Sequence, residues 1–212
     1  MAARLTAVNV VHELVPDGAG DLDLTAIDKR PVAHRVRVFA HGLDGDTQYD
    51  TRHHGGVDQA VYAYAAEDYA WWSAELGREL APGIFGENLT TAGLDVTGAV
   101  IGERWRVGDE VELVVRSPRI PCRTFAGWLG EDHWVKRFTA HGASGAYLAV
   151  AREGTVAAGD VVEVLARPSH GATVGDLFAV LSGDREPARL ARLNAATDDL
   201  VPESRERLAR LS

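Results

Sequence analysis

Two similar turn-and-strand units favour a mainly antiparallel β fold. Residues 107–113 read Val-Gly-Asp-Glu-Val-Glu-Leu and residues 158–164 read Ala-Gly-Asp-Val-Val-Glu-Val, so in each a Gly-Asp turn precedes a strand whose glutamate faces water. Further strand-like runs cover residues 4–12, 32–39, 60–64 and 145–152. Short strands in this number, separated by glycine-rich loops, predict a mainly β fold of the barrel or closed-sheet type.

Helical periodicity is strongest in one internal segment and at the C-terminal end. Residues 65–80 place Tyr69, Trp72 and Leu76 on one stripe. Beyond a change of composition at residues 167–171, three short helices are predicted at 174–181, 187–196 and 202–211. We therefore predict a barrel domain over residues 1–167 and a three-helix domain over 168–212. A unit of about forty residues is marginal alone, so it should dock on the barrel or on a second subunit in a homodimer.

Composition excludes several classes of function. Lys and Arg number 22 against 31 Asp and Glu, a net charge of −9, which argues against nucleic acid as a partner. The first twenty residues lack the apolar run of a signal peptide, and no stretch is long enough to cross a membrane, so we expect a cytoplasmic protein without a membrane partner. The single cysteine excludes an internal disulfide and any multi-cysteine metal cluster.

That cysteine, Cys122, follows a basic, proline-stiffened segment. Residues 116–123 read Arg-Ser-Pro-Arg-Ile-Pro-Cys-Arg, without an acidic residue. Nearby positive charge stabilises a thiolate, which is both a nucleophile and a metal ligand. One reading of Cys122 is therefore a reactive or metal-ligating thiolate at the start of a helix, and the other is a small buried hydrophobe. Arg116, Arg119 and Arg123 form either a clamp for a phosphate or other anion, or a solvated face.

Three loops carry further candidate residues. His53 and His54 lie in a glycine-rich loop, and adjacent residues of an extended chain point to opposite sides, so the pair is not expected to chelate one metal ion. Asn88 follows Gly86 and Glu87, where it is either a turn residue or aimed into a site. Ser144, in Gly-Ala-Ser-Gly, lacks the spacing of a hydrolase nucleophile, and its loop is better suited to offering backbone N–H groups to an anion.

Five motifs taken together resemble the MOSC family, named for the C-terminal domain of molybdenum cofactor sulfurase, and in order and spacing its bacterial YiiM branch. They are Gly42-Leu43-Asp44-Gly45-Asp46, His54-Gly55-Gly56-Val57-Asp58, Phe85-Gly86-Glu87-Asn88-Leu89, Arg116-Ser117-Pro118-Arg119-Ile120-Pro121-Cys122 and Gly142-Ala143-Ser144-Gly145. The match runs from the first strand to about residue 167, and the helical tail is similar to the one that branch carries. Gln59 departs from the pattern, because a basic residue is expected there.

The resemblance implies a β-barrel that holds a molybdenum–pterin cofactor, with Cys122 as molybdenum ligand or as carrier of a transferable sulfur. It further implies reduction of N-hydroxylated bases such as hydroxylaminopurine, with electrons from a separate redox protein. At the level of the family it also implies pyridoxal phosphate binding. The residues expected to line the cofactor pocket are Arg52, His54, Asn88, Arg116, Arg119, Arg123 and Ser144.

Two other functions remain open at this point. Cys122 could carry sulfur as a persulfide and pass it, or the cofactor, to another enzyme without reductase turnover. Alternatively, the barrel could be a non-catalytic module that binds a phosphorylated small molecule, with the helical tail mediating association.

Overall fold

The structure, a computed structural model, describes residues 2–18, 23–47 and 55–210, and its largest element is an eight-stranded sheet. The strands of this sheet are β1 (Arg4–Val11), β4 (Lys29–Pro31), β7 (Val61–Ala65), β8 (Leu89–Ala92), β9 (Arg104–Val107), β10 (Val111–Ser117), β11 (Ala146–Arg152) and β13 (Val162–Ala166). They lie in the order β13-β9-β10-β11-β7-β8-β1-β4. All neighbours pair antiparallel except β7 and β8, which are parallel. The predicted mainly antiparallel β fold is thus confirmed.

Smaller elements surround the main sheet. Strands β5 (Val36–Phe39), β6 (Gly42–Leu43) and β12 (Gly154–Val156) form a second sheet, and β2 (Val15–Pro16) pairs with β3 (Leu24–Thr25). Helices α1 (Ala66–Leu76), α2 (Arg123–Leu129) and α3 (Trp134–His141) lie between strands in the sequence. The C-terminal helices are α4 (Val174–Leu181), α5 (Pro187–Ala195) and α6 (Pro202–Ala209), at the predicted positions.

The main sheet curls until its first and last strands approach each other. The backbone N–H of Leu5 donates to the Asp160 carbonyl at 2.9 Å, and that of Val162 donates to the Ala3 carbonyl at 2.9 Å. Among the described residues, however, β1 and the start of β13 are joined by a single bridge between Arg4 and Val161, not by a continuous ladder. The closed barrel therefore stays a prediction.

Strand β7 separates two hydrophobic clusters. Successive residues of a strand point to opposite faces of the sheet, and along β7 Val61, Ala63 and Ala65 join one cluster while Tyr62 and Tyr64 join the other. The first cluster, here called the aliphatic cluster, is aliphatic apart from Trp105 and includes residues of the main sheet and of the C-terminal helices. The second, here called the aromatic cluster, contains the buried rings contributed by α1, α2, α3 and the loop before β8: Tyr69, Trp72, Phe85, Phe125, Trp134 and Phe138.

The C-terminal helices bury their apolar faces against the sheet. Leu177, Leu193 and Leu208 belong to the same aliphatic cluster as the strands. Helix α4 begins with a capping box in which the Thr173 and Asp176 side chains each accept a backbone N–H of the other residue. The helical tail therefore docks on the sheet, and the domain boundary after residue 167 remains a prediction. In the described part of the chain no helix is long and apolar enough to cross a membrane.

Candidate functional site

Cys122 is the residue that immediately precedes helix α2. Its backbone is extended (φ −123°, ψ 175°), and its side chain is half-buried at the edge of the aromatic cluster. The predicted position at the start of a helix is confirmed. Because α2 has only seven residues, its dipole adds little to the electrostatics of the thiol. No group of three or more His, Cys, Asp or Glu side chains that could hold a metal ion occurs within the described ranges.

The three arginines of the Cys122 segment have different surroundings. Arg116 pairs with Asp58 (Nε to Oδ1, 2.8 Å) and donates to the carbonyl of Asp199 at 3.3 Å. Arg123 begins α2 and is exposed. Arg119 is only 7% exposed. The three arginines therefore have separate environments, with Arg123 the exposed one, and their predicted contacts with a cofactor stay predictions.

Arg119 is fixed inside the aromatic cluster. Its Nη1 donates to the Phe85 carbonyl at 2.5 Å. The guanidinium carbon lies 4.0 Å from the centre of the Phe125 ring and 5.4 Å from that of Tyr62. Cation–π contacts of this kind strengthen when water is excluded. Arg119 thus places a positive charge in the protein interior three residues from Cys122.

Glu87 and Asn88 hold the loop that carries Phe85. Glu87 is fully buried, and its Oε1 accepts hydrogen bonds from Tyr69, Thr90 and the Gly83 backbone, each at 2.7 Å. Its Oε2 has no hydrogen-bond partner among the residues described. Burial raises the pKa of Glu87 and the hydrogen bonds oppose this shift without cancelling it. The loop is therefore built on a carboxyl group that retains its proton more readily than an exposed glutamate.

Asn88 uses its side-chain amide within the protein. Its Oδ1 accepts from the Tyr62 backbone at 3.1 Å, and its Nδ2 donates to Asp46 Oδ2 at 2.8 Å and to the Asn9 carbonyl at 3.3 Å. These contacts join β7, β1 and the loop containing Asp46. In this arrangement Asn88 supports the site through neighbouring elements, and its predicted contact with a cofactor stays a prediction.

The small-residue loop before β11 is buried. Ser144 is inaccessible to solvent, its Oγ donates to the Gly145 carbonyl at 2.9 Å, and its own carbonyl accepts from the Tyr62 hydroxyl at 2.8 Å. The structure thus brings Ser144 next to Tyr62 without exposing its hydroxyl. Arg52 and His54 lie outside the described residues, so their predicted roles remain predictions.

Two polar residues near Cys122 were not singled out from the sequence. Ser117 ends β10, and its buried Oγ has no hydrogen-bond partner in the described part of the chain. Tyr147 of β11 is the cross-strand partner of Ser117 on one side and of Tyr62 on the other. Ser117 lies within the motif that contains Cys122. The only signal in the sequence for Tyr147 is its position in a predicted strand, because a single sequence does not show which strands pair.

Sequence comparison identifies the class of protein. The MOSC domain model matches residues 50–163, and the chain belongs to the MOSC family. The uncharacterized protein YflK of Bacillus subtilis (strain 168) is 39% identical over 150 residues, 71% of this chain and 67% of YflK. A Gibberella moniliformis (strain M3125 / FGSC 7600) protein named "Reductase" is 33% identical over 147 residues, 68% of this chain and 26% of that protein.

YiiM proteins are also relatives of this chain. YiiM of Escherichia coli (strain K12) is 36% identical over 102 residues, 46% of this chain and 45% of YiiM. The crystal structure of YiiM from Escherichia coli superposes with a TM-score of 0.74 over 98% of this chain and 91% of YiiM, at 23% identity. The fold is therefore shared along almost the whole chain, including the C-terminal helices.

Proposed function

We propose that this protein binds a molybdenum–pterin cofactor through Cys122 and reduces N-hydroxylated compounds. The observation that carries the proposal is the half-buried thiol of Cys122 at the end of a conformationally restricted segment, three residues from the buried cation of Arg119. A thiolate is a soft ligand of the kind that such a metal takes. The relative named as a reductase and the membership of the MOSC family support the same class of chemistry.

The residues around Cys122 fit such a cofactor. Buried hydroxyls are almost always paired, and the Ser117 Oγ, five residues before the thiol, lacks a partner among the described residues. Ser117 could therefore hydrogen-bond a polar group of the pterin, and exposed Arg123 could bind its phosphate. When bound, the cofactor supplies two-electron redox chemistry. The protein holds the metal at Cys122, orients the substrate and limits access of water.

The proposal includes partners that the sequence implies. The substrate is a small N-hydroxylated compound such as hydroxylaminopurine, and the electrons come from a separate redox protein. We place the reaction in the cytoplasm and propose a homodimer as the assembly. We also propose that residues 1–167 close into a barrel.

Pyridoxal phosphate fits less well. That cofactor is held as a Schiff base of a lysine, and the chain has two lysines. Lys29 is ion-paired with Asp46 at 2.5 Å, with only a tenth of its side chain exposed, and Lys136 lies on the exposed side of α3. Pyridoxal phosphate is therefore not part of the proposal.

The deciding experiment compares wild type with Cys122→Ser, both produced in a molybdenum-replete host. Molybdenum and pterin content should fall to background in Cys122→Ser, whereas Arg123→Lys, which keeps the charge at the exposed position, should retain both. Wild type should convert hydroxylaminopurine to adenine in the presence of an electron donor. Absence of turnover in cofactor-loaded wild type would refute the reductase function. A persulfide on Cys122 after incubation with a cysteine desulfurase, without bound metal, would instead establish the sulfur carrier.

A further inference from the structure

Tyr147 lies on strand β11, which is between β10 and β7 in the main sheet. It is the second residue of β11, opposite Tyr62 of β7 and Ser117 of β10. The rings of Tyr62 and Tyr147 are 5.0 Å apart at 38°. A register shift in the β10–β11 ladder between Val115 and Ser117 accompanies this pairing. Such a bulge re-aims side chains at the end of a strand.

The hydroxyl of Tyr147 differs from those of the neighbouring tyrosines. Tyr62 donates to the Ser144 carbonyl at 2.8 Å, Tyr64 to the Ala143 carbonyl at 3.1 Å, and Tyr69 to Glu87 at 2.7 Å. Tyr147, although half-buried, donates to no residue that the structure describes. Tyrosine hydroxyls in such positions normally find a partner. The hydroxyl of Tyr147 is thus available to a ligand, whereas those of the other three serve the fold.

Tyr147 is in the neighbourhood of Cys122. Both side chains pack against the aromatic cluster, and the guanidinium of Arg119 lies over the ring of Tyr62, which contacts the ring of Tyr147. The side chain of Tyr147 is a phenol, which ordinarily keeps its proton at neutral pH and can donate a hydrogen bond.

We propose that Tyr147 is a catalytic residue whose hydroxyl binds the oxygen of the substrate N–OH group and protonates that oxygen as it departs. The inference rests on the proposed reductase function. The overall reaction is R–NH–OH + 2 e⁻ + 2 H⁺ → R–NH₂ + H₂O. The N–O bond breaks, the redox protein supplies both electrons, Tyr147 gives one proton to the oxygen, and solvent gives the other to the nitrogen and reprotonates Tyr147.

The Tyr147 hydroxyl would act selectively on the oxygen of the N–OH group, which is the atom that leaves. A donor aimed at a developing negative charge stabilises the transition state more than the ground state. It also distinguishes the N-hydroxylated compound from the corresponding amine, because the amine lacks the oxygen that accepts the hydrogen bond. Tyr147 would therefore contribute both to the rate and to the discrimination between substrate and product.

The test uses Tyr147→Phe, which removes only the hydroxyl. Since that hydroxyl donates to no described residue, thermal stability and molybdenum content should match wild type. Turnover of hydroxylaminopurine should fall about 100-fold. Without an electron donor, affinity for hydroxylaminopurine should fall about fivefold, as expected for one hydrogen bond, while affinity for adenine stays unchanged. The matched variant Tyr64→Phe should lose thermal stability and keep the preference for hydroxylaminopurine over adenine.

The results distinguish a failure of the proposed role of Tyr147 from a failure of the reductase function. If wild type and Tyr147→Phe show equal turnover and equal affinities, the role of Tyr147 is refuted and the reductase function stands. If cofactor-loaded wild type has no turnover, the reductase function fails and the binding measurement decides the contact: loss of the preference in Tyr147→Phe supports it, and an unchanged or absent preference refutes it. Lower stability or metal content in Tyr147→Phe would show a structural role and overturn the proposal.

Discussion

The guanidinium carbon of Arg119 lies 4.0 Å from the centre of the Phe125 ring, across the short segment that contains Cys122. Residues 120–124 are therefore bracketed by two side chains in contact with each other. The hydrogen bond from Arg119 to the Phe85 carbonyl fixes the same segment to the loop before β8. Through these contacts the thiol is positioned by packing in the aromatic cluster as well as by the stiffness of Pro118 and Pro121.

Replacing each arginine of this segment by methionine should rank their structural importance. Arg119→Met leaves a buried carbonyl unpaired and loses the contact with Phe125, so the free energy of unfolding should fall by about 2–4 kcal/mol. Arg116→Met loses a partly exposed ion pair, with an expected cost of about 1 kcal/mol. Arg123→Met, at an exposed position, should change stability by less than about 0.5 kcal/mol. Urea unfolding of the three variants checks the order, and equal losses would contradict it.

The loop before β11 should tolerate no side chain at Gly145. Its φ is +64°, and a Cβ there would lie 2.5 Å from the Ala63 carbonyl oxygen and 2.8 Å from atoms of two tyrosine rings. Gly145→Ala should therefore cost more than about 3 kcal/mol or prevent folding. Thermal unfolding and the yield of soluble protein measure the effect.

Gly142→Ala provides the matched control for this prediction. Gly142 also has a positive φ, +83°, but a Cβ there would meet no atom within 4 Å. Only the backbone strain of a left-handed residue applies, about 1–2 kcal/mol. Similar losses in the two variants would show that conformation, not the close approach to β7, dominates at Gly145.

Local signals in the sequence located the turns and helices of this fold. Gly108 and Gly159 both have positive φ, as the repeated Gly-Asp turns predict, and the C-terminal helices begin at Val174, Pro187 and Pro202 as expected. The first internal helix ends earlier than predicted, at Leu76, because Gly77 adopts the left-handed conformation that terminates helices. The strand predicted at residues 32–39 is confined to Val36–Phe39.

Long-range contacts explain what the sequence did not reveal about the site. The partners of Arg116 are 58 and 83 residues away, and the Phe85 carbonyl that accepts from Arg119 is 34 residues away. Spacing within residues 116–123 carries no information about such partners. Identical residue types in one motif therefore have three different environments, and the importance of Tyr147 depends on strand register and a bulge that only the fold defines.

The carboxyl of Asp68 should make the protein less stable as pH rises. Burial, followed by the charges of Asp95 and Glu67, raises the pKa of Asp68 to about 6. A carboxyl whose pKa is higher in the folded than in the unfolded state contributes stability to the folded protein. This contribution is fully present below the unfolded pKa, near 4, and is lost as pH rises through the folded pKa. The difference in free energy of unfolding between Asp68→Asn and wild type should therefore change by about 1–2 kcal/mol in favour of the variant when the pH is raised from 4 to 8. Urea unfolding at both pH values measures this difference, and Asp95→Asn should reduce it. An Asp68→Asn curve parallel to wild type would refute the assignment.

Asp176 should have the opposite pH dependence, because arginines surround it. Burial opposes its ionisation, but hydrogen bonds from Arg192 and the Thr173 backbone, together with the charges of Arg192 and Arg189, lower the pKa of Asp176 overall. Its two oxygens accept from Arg192 at 2.8 and 2.9 Å, which ties α5 to the start of α4. A depressed folded pKa gives stability that is present above the unfolded pKa, near 4, and is lost as pH falls through the folded pKa.

Replacing Asp176 by asparagine removes the charge and keeps a side chain able to cap α4. At pH 7 the variant should lose about 2 kcal/mol of stability, and the difference from wild type should shrink as pH falls below about 4. Glu186→Gln is the matched control: Glu186 contacts Arg189 at 3.0 Å from an exposed position, so its replacement should change little. Hydrogen exchange of amides in α4 and α5 would show whether the loss is local to this helix pair. A difference between Asp176→Asn and wild type that grows on acidification would contradict the arginine-stabilised carboxylate.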